Sequence, residues 1–135
     1  MFDDDGAGEA ADLVCINEED EYIRLVLVHC KFAGGKDAGK RVKDVIEVCS
    51  QAVRSAKWPG RFKELCKHVL NRNEKRKSSN RPSHFLQGEP QDITRISRAA
   101  RFKELRPEIL IVQPGLSQEN LTPEQSAILA AAVAY

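Results

Sequence analysis

The chain has 135 residues, 41% hydrophobic and 30% charged, with a formal net charge of +1. That length fits one domain able to bury a core unaided, the composition excludes wholesale disorder, and no apolar run approaches the ~20 residues a bilayer span needs. The near-zero net charge hides a division: residues 1–53 hold six Lys/Arg against twelve Asp/Glu, and residues 54–106 hold fifteen against five.

An acidic lead-in over residues 1–8 lacks the basic-then-apolar layout of a secretory signal, so a cytoplasmic address is expected. Two apolar runs follow, Ala11 to Ile16 and Leu25 to Lys31, separated by the acidic stretch Glu18-Glu19-Asp20-Glu21. A hairpin closed symmetrically about that stretch sets Asp12 opposite His29. Side chains alternate along a strand, so His29 and Lys31 share one side and Cys30 takes the other. Both faces of the pair are apolar, which predicts helices on each side of a small mixed sheet in an α/β fold. Cys15, Cys30, Cys49 and Cys66 never form a CxxC pair, so free thiols in a reducing compartment are expected rather than a zinc site. Cys15 and Cys30 are candidates to face each other across the hairpin.

The Gly-rich run 33–39 reads as a turn, without the Gly-Lys-Ser/Thr ending of a P-loop. Val42, Val45, Ile46, Cys49 and Val53 recur at helical spacing and predict a helix over about 40–57, ended by Pro59-Gly60. A second helix over about 61–75 carries Phe62, Leu65, Cys66 and Val69 inward, with Trp58 packed between the two helices. His68 is expected at the surface. Residues 76–90, including His84, form a basic, breaker-rich segment expected to be mobile. A third helix, capped by Asp92, directs Ile93, Ile96, Ala100 and Leu105 inward. Its outward row of Arg95, Arg98, Arg101 and Lys103, together with Lys75, Arg76 and Lys77, is the electrostatic footprint of a phosphate-facing surface. Glu108 to Gln113 reads as a short strand bounded by Pro107 and Pro114. Thr122-Pro123-Glu124-Gln125 opens a last, Ala-rich helix whose apolar character implies packing against the sheet or a partner.

The Asp12 and His29-Cys30-Lys31 arrangement resembles the core of restriction-endonuclease-like PD-(D/E)xK nucleases, in which an Asp on one strand and an acidic-x-Lys tripeptide on the next hold a divalent cation. Asp12 matches the first acid and Lys31 the lysine. His29 stands where the second acid belongs, and Glu9 is the candidate additional acid. The resemblance covers roughly residues 6–56. Asp4 to Glu9 and Val45 to Ala52 are similar to segments appended to bacterial helicase-like defence proteins.

The resemblance implies a metal-dependent nuclease-like domain hydrolysing phosphodiester bonds in DNA, with catalytic residues Asp12, His29, Lys31 and Glu9. It also implies Mg²⁺ or Mn²⁺ held by Asp12, His29 and the Cys30 main-chain carbonyl. Nitrogen in place of oxygen shifts preference towards Mn²⁺. The expected partners are DNA and a helicase-like protein or a second copy, with no membrane. Two alternatives stand beside this: a catalytically degenerate nucleic-acid-binding module, and a protein-interaction or assembly domain. Only eleven residues precede Asp12, too few for the helix and strand that usually come first in that family.

Overall fold

A computed structural model describes residues 1, 8, 10–32 and 41–134, so Glu9, the Gly-rich run 33–39 and Tyr135 lie outside the described residues. Strands β1 (Leu13–Glu18) and β2 (Tyr22–Cys30) pair antiparallel, with Leu13 opposite Val28 and Glu18 opposite Ile23. Asp20 and Glu21 form the turn, closed by the Glu19 N–H donating to the Tyr22 carbonyl at 2.9 Å. Continued by one residue, this register sets Asp12 opposite His29, as the symmetry of the acidic stretch predicts. Strand β3 (Glu104–Val112) lies parallel to β2 on its other side, with Ile111 beside His29, giving the sheet order β1-β2-β3. The fold is therefore α/β, a three-stranded mixed sheet flanked by helices.

β3 begins earlier than the sequence predicts: it contains Pro107 and takes Leu105, expected on a helix, into the sheet. The parallel ladder explains why proline is tolerated. Lys31 N–H donates to the Val112 carbonyl at 2.9 Å, so even-numbered residues of β3 direct their peptide groups to β2. Pro107 falls on the alternate, outward set and sacrifices no ladder bond.

Alternation gives the sheet one core face. Val14, Ile23, Leu25 and Leu27 are buried there against Phe62, Leu65, Cys66 and Val69 of helix α2 (Phe62–Ser78) and Ile93 and Ile96 of helix α3 (Pro90–Ala99). Each fully buried Leu or Ile side chain contributes roughly 1.5–3 kcal/mol relative to exposure. Towards the other end of the same face, Ile111 meets Val45, Val48 and Cys49 of helix α1 (Val42–Ser55), and helix α4 (Pro123–Val133) adds Ile128, Leu129 and Ala132. Thr122 caps α4 as expected: its Oγ1 accepts from Gln125 N–H at 3.2 Å while Gln125 Oε1 accepts from Thr122 N–H at 2.9 Å.

The expectation of helices on both sides of the sheet is corrected. Leu13, Val26, Val28, Leu110 and Val112 lie on the face opposite the core, none joins either hydrophobic cluster, and Leu110 and Val112 are 46% and 43% exposed. Among the described residues that face has no helical cover. Cys15 and Cys30 both belong to it, but Cys15 is paired with Val26, so the two thiols do not oppose one another across the hairpin.

Local details differ for identifiable reasons. The buried stripe of α1 is Val45, Val48, Cys49, Ala52 and Ser55, leaving Ile46 exposed, because α1 must meet both the sheet end and α4. α2 continues to Ser78, and the segment after it is anchored by the buried Asn73, whose Oδ1 accepts from Ser83 Oγ at 2.8 Å and His84 N–H at 3.1 Å. His84, expected in an open basic loop, is buried instead. α3 starts at Pro90, with Glu89 as N-cap and Asp92 as its capping-box partner. Trp58 joins the core, its ring 5.3 Å from that of His68, so His68 is a packed rather than a free surface residue.

Candidate active site

Three of the predicted site residues converge at one end of the sheet. Asp12 immediately precedes β1, His29 is the penultimate residue of β2, and Lys31 follows β2; parity puts all three on the core side. Asp12 Oδ2 accepts the Cys30 N–H at 2.7 Å and lies 4.0 Å from His29 Nδ1. The carboxylate thus takes over the pairing where the β1 ladder ends, which fixes its position at the rim. Ladder alternation sends the Cys30 carbonyl to the same edge as its N–H. Glu9, the fourth predicted member, is outside the described residues.

His29 is 3% exposed, and its Nε2 lies 2.8 Å from Ser55 Oγ. Ser55 Oγ donates its single proton to the Ala10 carbonyl at 2.7 Å, with the Gln51 carbonyl at 3.1 Å. A hydroxyl oxygen that has spent its proton can only accept, so the imidazole proton sits on Nε2 and the lone pair of Nδ1 is left on the Asp12 side. Burial lowers the His29 pKa; the nearby Asp12 carboxylate opposes that shift and Arg54 reinforces it. The neutral ring is the form that burial favours.

Lys31 Nζ donates to Glu47 Oε1 of α1 at 2.8 Å. Glu47, Gln51 and Ser55 are spaced four apart, so α1 presents a polar stripe to the rim beside its apolar one. Gln51 Oε1 is buried and, among the described residues, has no hydrogen-bond partner. Glu47, Gln51, Arg54 and Ser55 were not singled out from the sequence. The signal available was this four-residue polar period running through an apolar helix, one turn apart from Glu47 to Ser55.

The donors fit a divalent cation only in part. Asp12 offers a carboxylate and His29 a neutral nitrogen, but among the described residues no three His, Cys, Asp or Glu side chains cluster as a complete ligand set. A single imidazole and a single carboxylate suit Mn²⁺ better than Mg²⁺, with water or phosphate oxygens completing the shell.

The basic row does not form as predicted. α3 ends at Ala99, so Arg101 and Lys103 leave its helical face. Arg95 and Lys103 both pair with Glu18, and Lys103 Nζ also donates to the Glu19 carbonyl at 2.6 Å. Arg98 and Arg101 stay exposed. Lys75, Arg76 and Lys77 occupy the last turn of α2, where positive charge complements the helix dipole; Arg76 Nε donates to the Pro82 carbonyl at 2.7 Å and Lys77 pairs with Glu74.

No family model, curated protein or solved structure matches the chain. No helix among the described residues is long and apolar enough to cross a membrane.

Proposed function

We propose that the domain is a restriction-endonuclease-like, divalent-metal-dependent nuclease acting on DNA. The observation that carries this reading is the convergence of Asp12, His29 and Lys31 on one rim, with Asp12 Oδ2 locked by the Cys30 N–H at 2.7 Å and 4.0 Å from His29 Nδ1. Asp12 and His29 would hold the cation, which when bound polarises the phosphate and acidifies a water. His29 takes this role as a neutral donor, oriented by Ser55 in the way outer-shell partners orient ligating histidines. Lys31 brings an ammonium to the developing phosphate charge, and Glu47 fixes where that ammonium sits. Exposed Arg98, Arg101 and Lys75 supply cations for the nucleic-acid backbone.

A supercoiled plasmid incubated with the protein and Mn²⁺ or Mg²⁺ tests this. Nicking that needs metal, favours Mn²⁺ and falls at least about 100-fold in Lys31→Ala is the expected result. Equal rates for the two proteins overturn it.

The two-donor set also supports a second reading, a module that binds nucleic acid without cutting it. Salt-dependent DNA binding that is unaffected by Asp12→Ala, with no nicking, selects that reading.

A further inference from the structure

The outer edge of β1 carries an observation that the rim chemistry does not use. Met1 already pairs with this edge: Val14 N–H donates to the Met1 carbonyl at 2.8 Å and the Met1 amine donates to the Val14 carbonyl at 2.8 Å. Two bonds exchanged between one pair of residues form an antiparallel bridge. They also show which way the edge faces. Val14 directs its peptide groups away from β2, and by alternation Ile16 and Glu18 do the same.

Beyond Met1 the described residues place no further strand on this edge. Among the described residues, neither Ile16 nor Glu18 has a backbone partner on that side. In front of them lies a groove of about 750 Å³ between β1 and α3, with Phe85, Ile93 and Ile96 contributing apolar surface. Glu19, Asp20, Glu89 and Asp92 give the groove negative charge. Its basic side chains, Arg95 and Lys103, are both engaged by Glu18, and the Met1 amine is turned to the Val14 carbonyl. The groove is therefore acidic, with Glu18, Glu19 and Asp20 from the acidic segment facing Glu89 and Asp92 from the basic one.

We infer that this edge is a docking site for an extended peptide that adds to the sheet as a strand antiparallel to β1, alongside Ile16 and Glu18. Strand addition draws affinity from main-chain hydrogen bonds and specificity from alternate side chains. Residues opposite one another across a ladder share a face. The peptide residue opposite Ile16 therefore rests on the Ile93 and Ile96 surface and is apolar. The one opposite Glu18 lies towards Glu19, Asp20 and Glu89 and is Lys or Arg. Antiparallel direction orders these as basic, any residue, apolar, from N- to C-terminus of the peptide.

The probe is the blocked peptide acetyl-Ser-Lys-Thr-Ile-amide, which stops short of Met1, titrated into the full chain and followed by backbone amide NMR and hydrogen exchange. Saturable binding with slowed exchange at Ile16 and Glu18 is expected. N-methylation of the peptide Lys or Ile, whose amides face β1, should weaken binding at least tenfold, whereas N-methylation of the Thr between them should leave it within twofold. Asp20→Lys, a change at an exposed turn residue, should weaken the Lys peptide and favour the same peptide with Glu in that place. No saturation, equal sensitivity to both N-methylation registers, or shifts confined to the open sheet face around Val28 and Leu110 would each overturn the inference.

Discussion

Ser55 and His29 are joined by a 2.8 Å contact whose direction is set elsewhere, by the Ala10 carbonyl that takes the serine proton. The segment leading into β1 therefore decides which nitrogen of a β2 histidine carries hydrogen, through a residue at the end of α1. Ser55→Ala should cost about 1–3 kcal/mol, the range for a buried hydrogen-bonding group left unpaired. Denaturant unfolding measures that, and ¹⁵N chemical shifts of the His29 ring should show the two tautomers becoming mixed.

Burial depresses the His29 pKa below its ordinary value of 6.5. The unfolded chain then binds the proton more readily than the folded one. The stability contribution from keeping this ring neutral is complete above pH 6.5 and is lost as the pH falls below it towards the depressed folded value. Unfolding free energies between pH 8 and pH 5 should decline over that window, and a His29→Gln variant should have a flatter profile there.

Glu47 holds Lys31 at 2.8 Å, and the pair is partly exposed. Glu47→Gln should change stability by less than about 1 kcal/mol, as for other solvent-screened ion pairs. Freeing the ammonium should at the same time strengthen binding of a short duplex at low salt. Fluorescence anisotropy against ionic strength checks this.

The two sheet faces should respond differently to truncation. Leu27→Ala removes a fully buried side chain and should cost about 2–5 kcal/mol, while Leu110→Ala, on the uncovered face, should cost under about 1 kcal/mol. Comparable losses from both would mean that something covers the second face.

Thiol reactivity should follow the same division. Cys15 and Cys30 are exposed, whereas Cys49 and Cys66 are buried, with burial pushing the Cys66 thiol up to about 11. Native protein at pH 7.5 should react with a maleimide first at Cys15, more slowly at Cys30, whose thiol is pushed up by burial and the Asp12 carboxylate, and at the other two only after unfolding. Peptide mapping by mass spectrometry reads the order.

How far the sequence discloses this arrangement depends on whether a feature is local. The Asp12 and His29 register follows from one symmetric acidic turn and strict alternation, both legible along the chain. The Thr122-Pro123 helix start is equally local. By contrast, apolar residues on both sides of β1 and β2 look like two-sided burial, yet among the described residues no helix covers the second set, because pattern reports what a face would accept and not what packs on it. Lys103 and Arg95 read as a phosphate row until Glu18, distant in sequence, is brought between them. Glu47, Gln51 and Ser55 remained hidden for a related reason: an i, i+4 polar stripe has no meaning until the helix is set against Lys31 and His29.

Pro107 has a consequence for assembly. With no hydrogen to offer at the outer margin of β3, it blunts that side of the sheet against recruiting another strand. Repeated end-to-end stacking needs two receptive borders per molecule, and here one of them is interrupted. A strand added at β1 would therefore find a less receptive border at β3, which disfavours continued sheet growth through this domain.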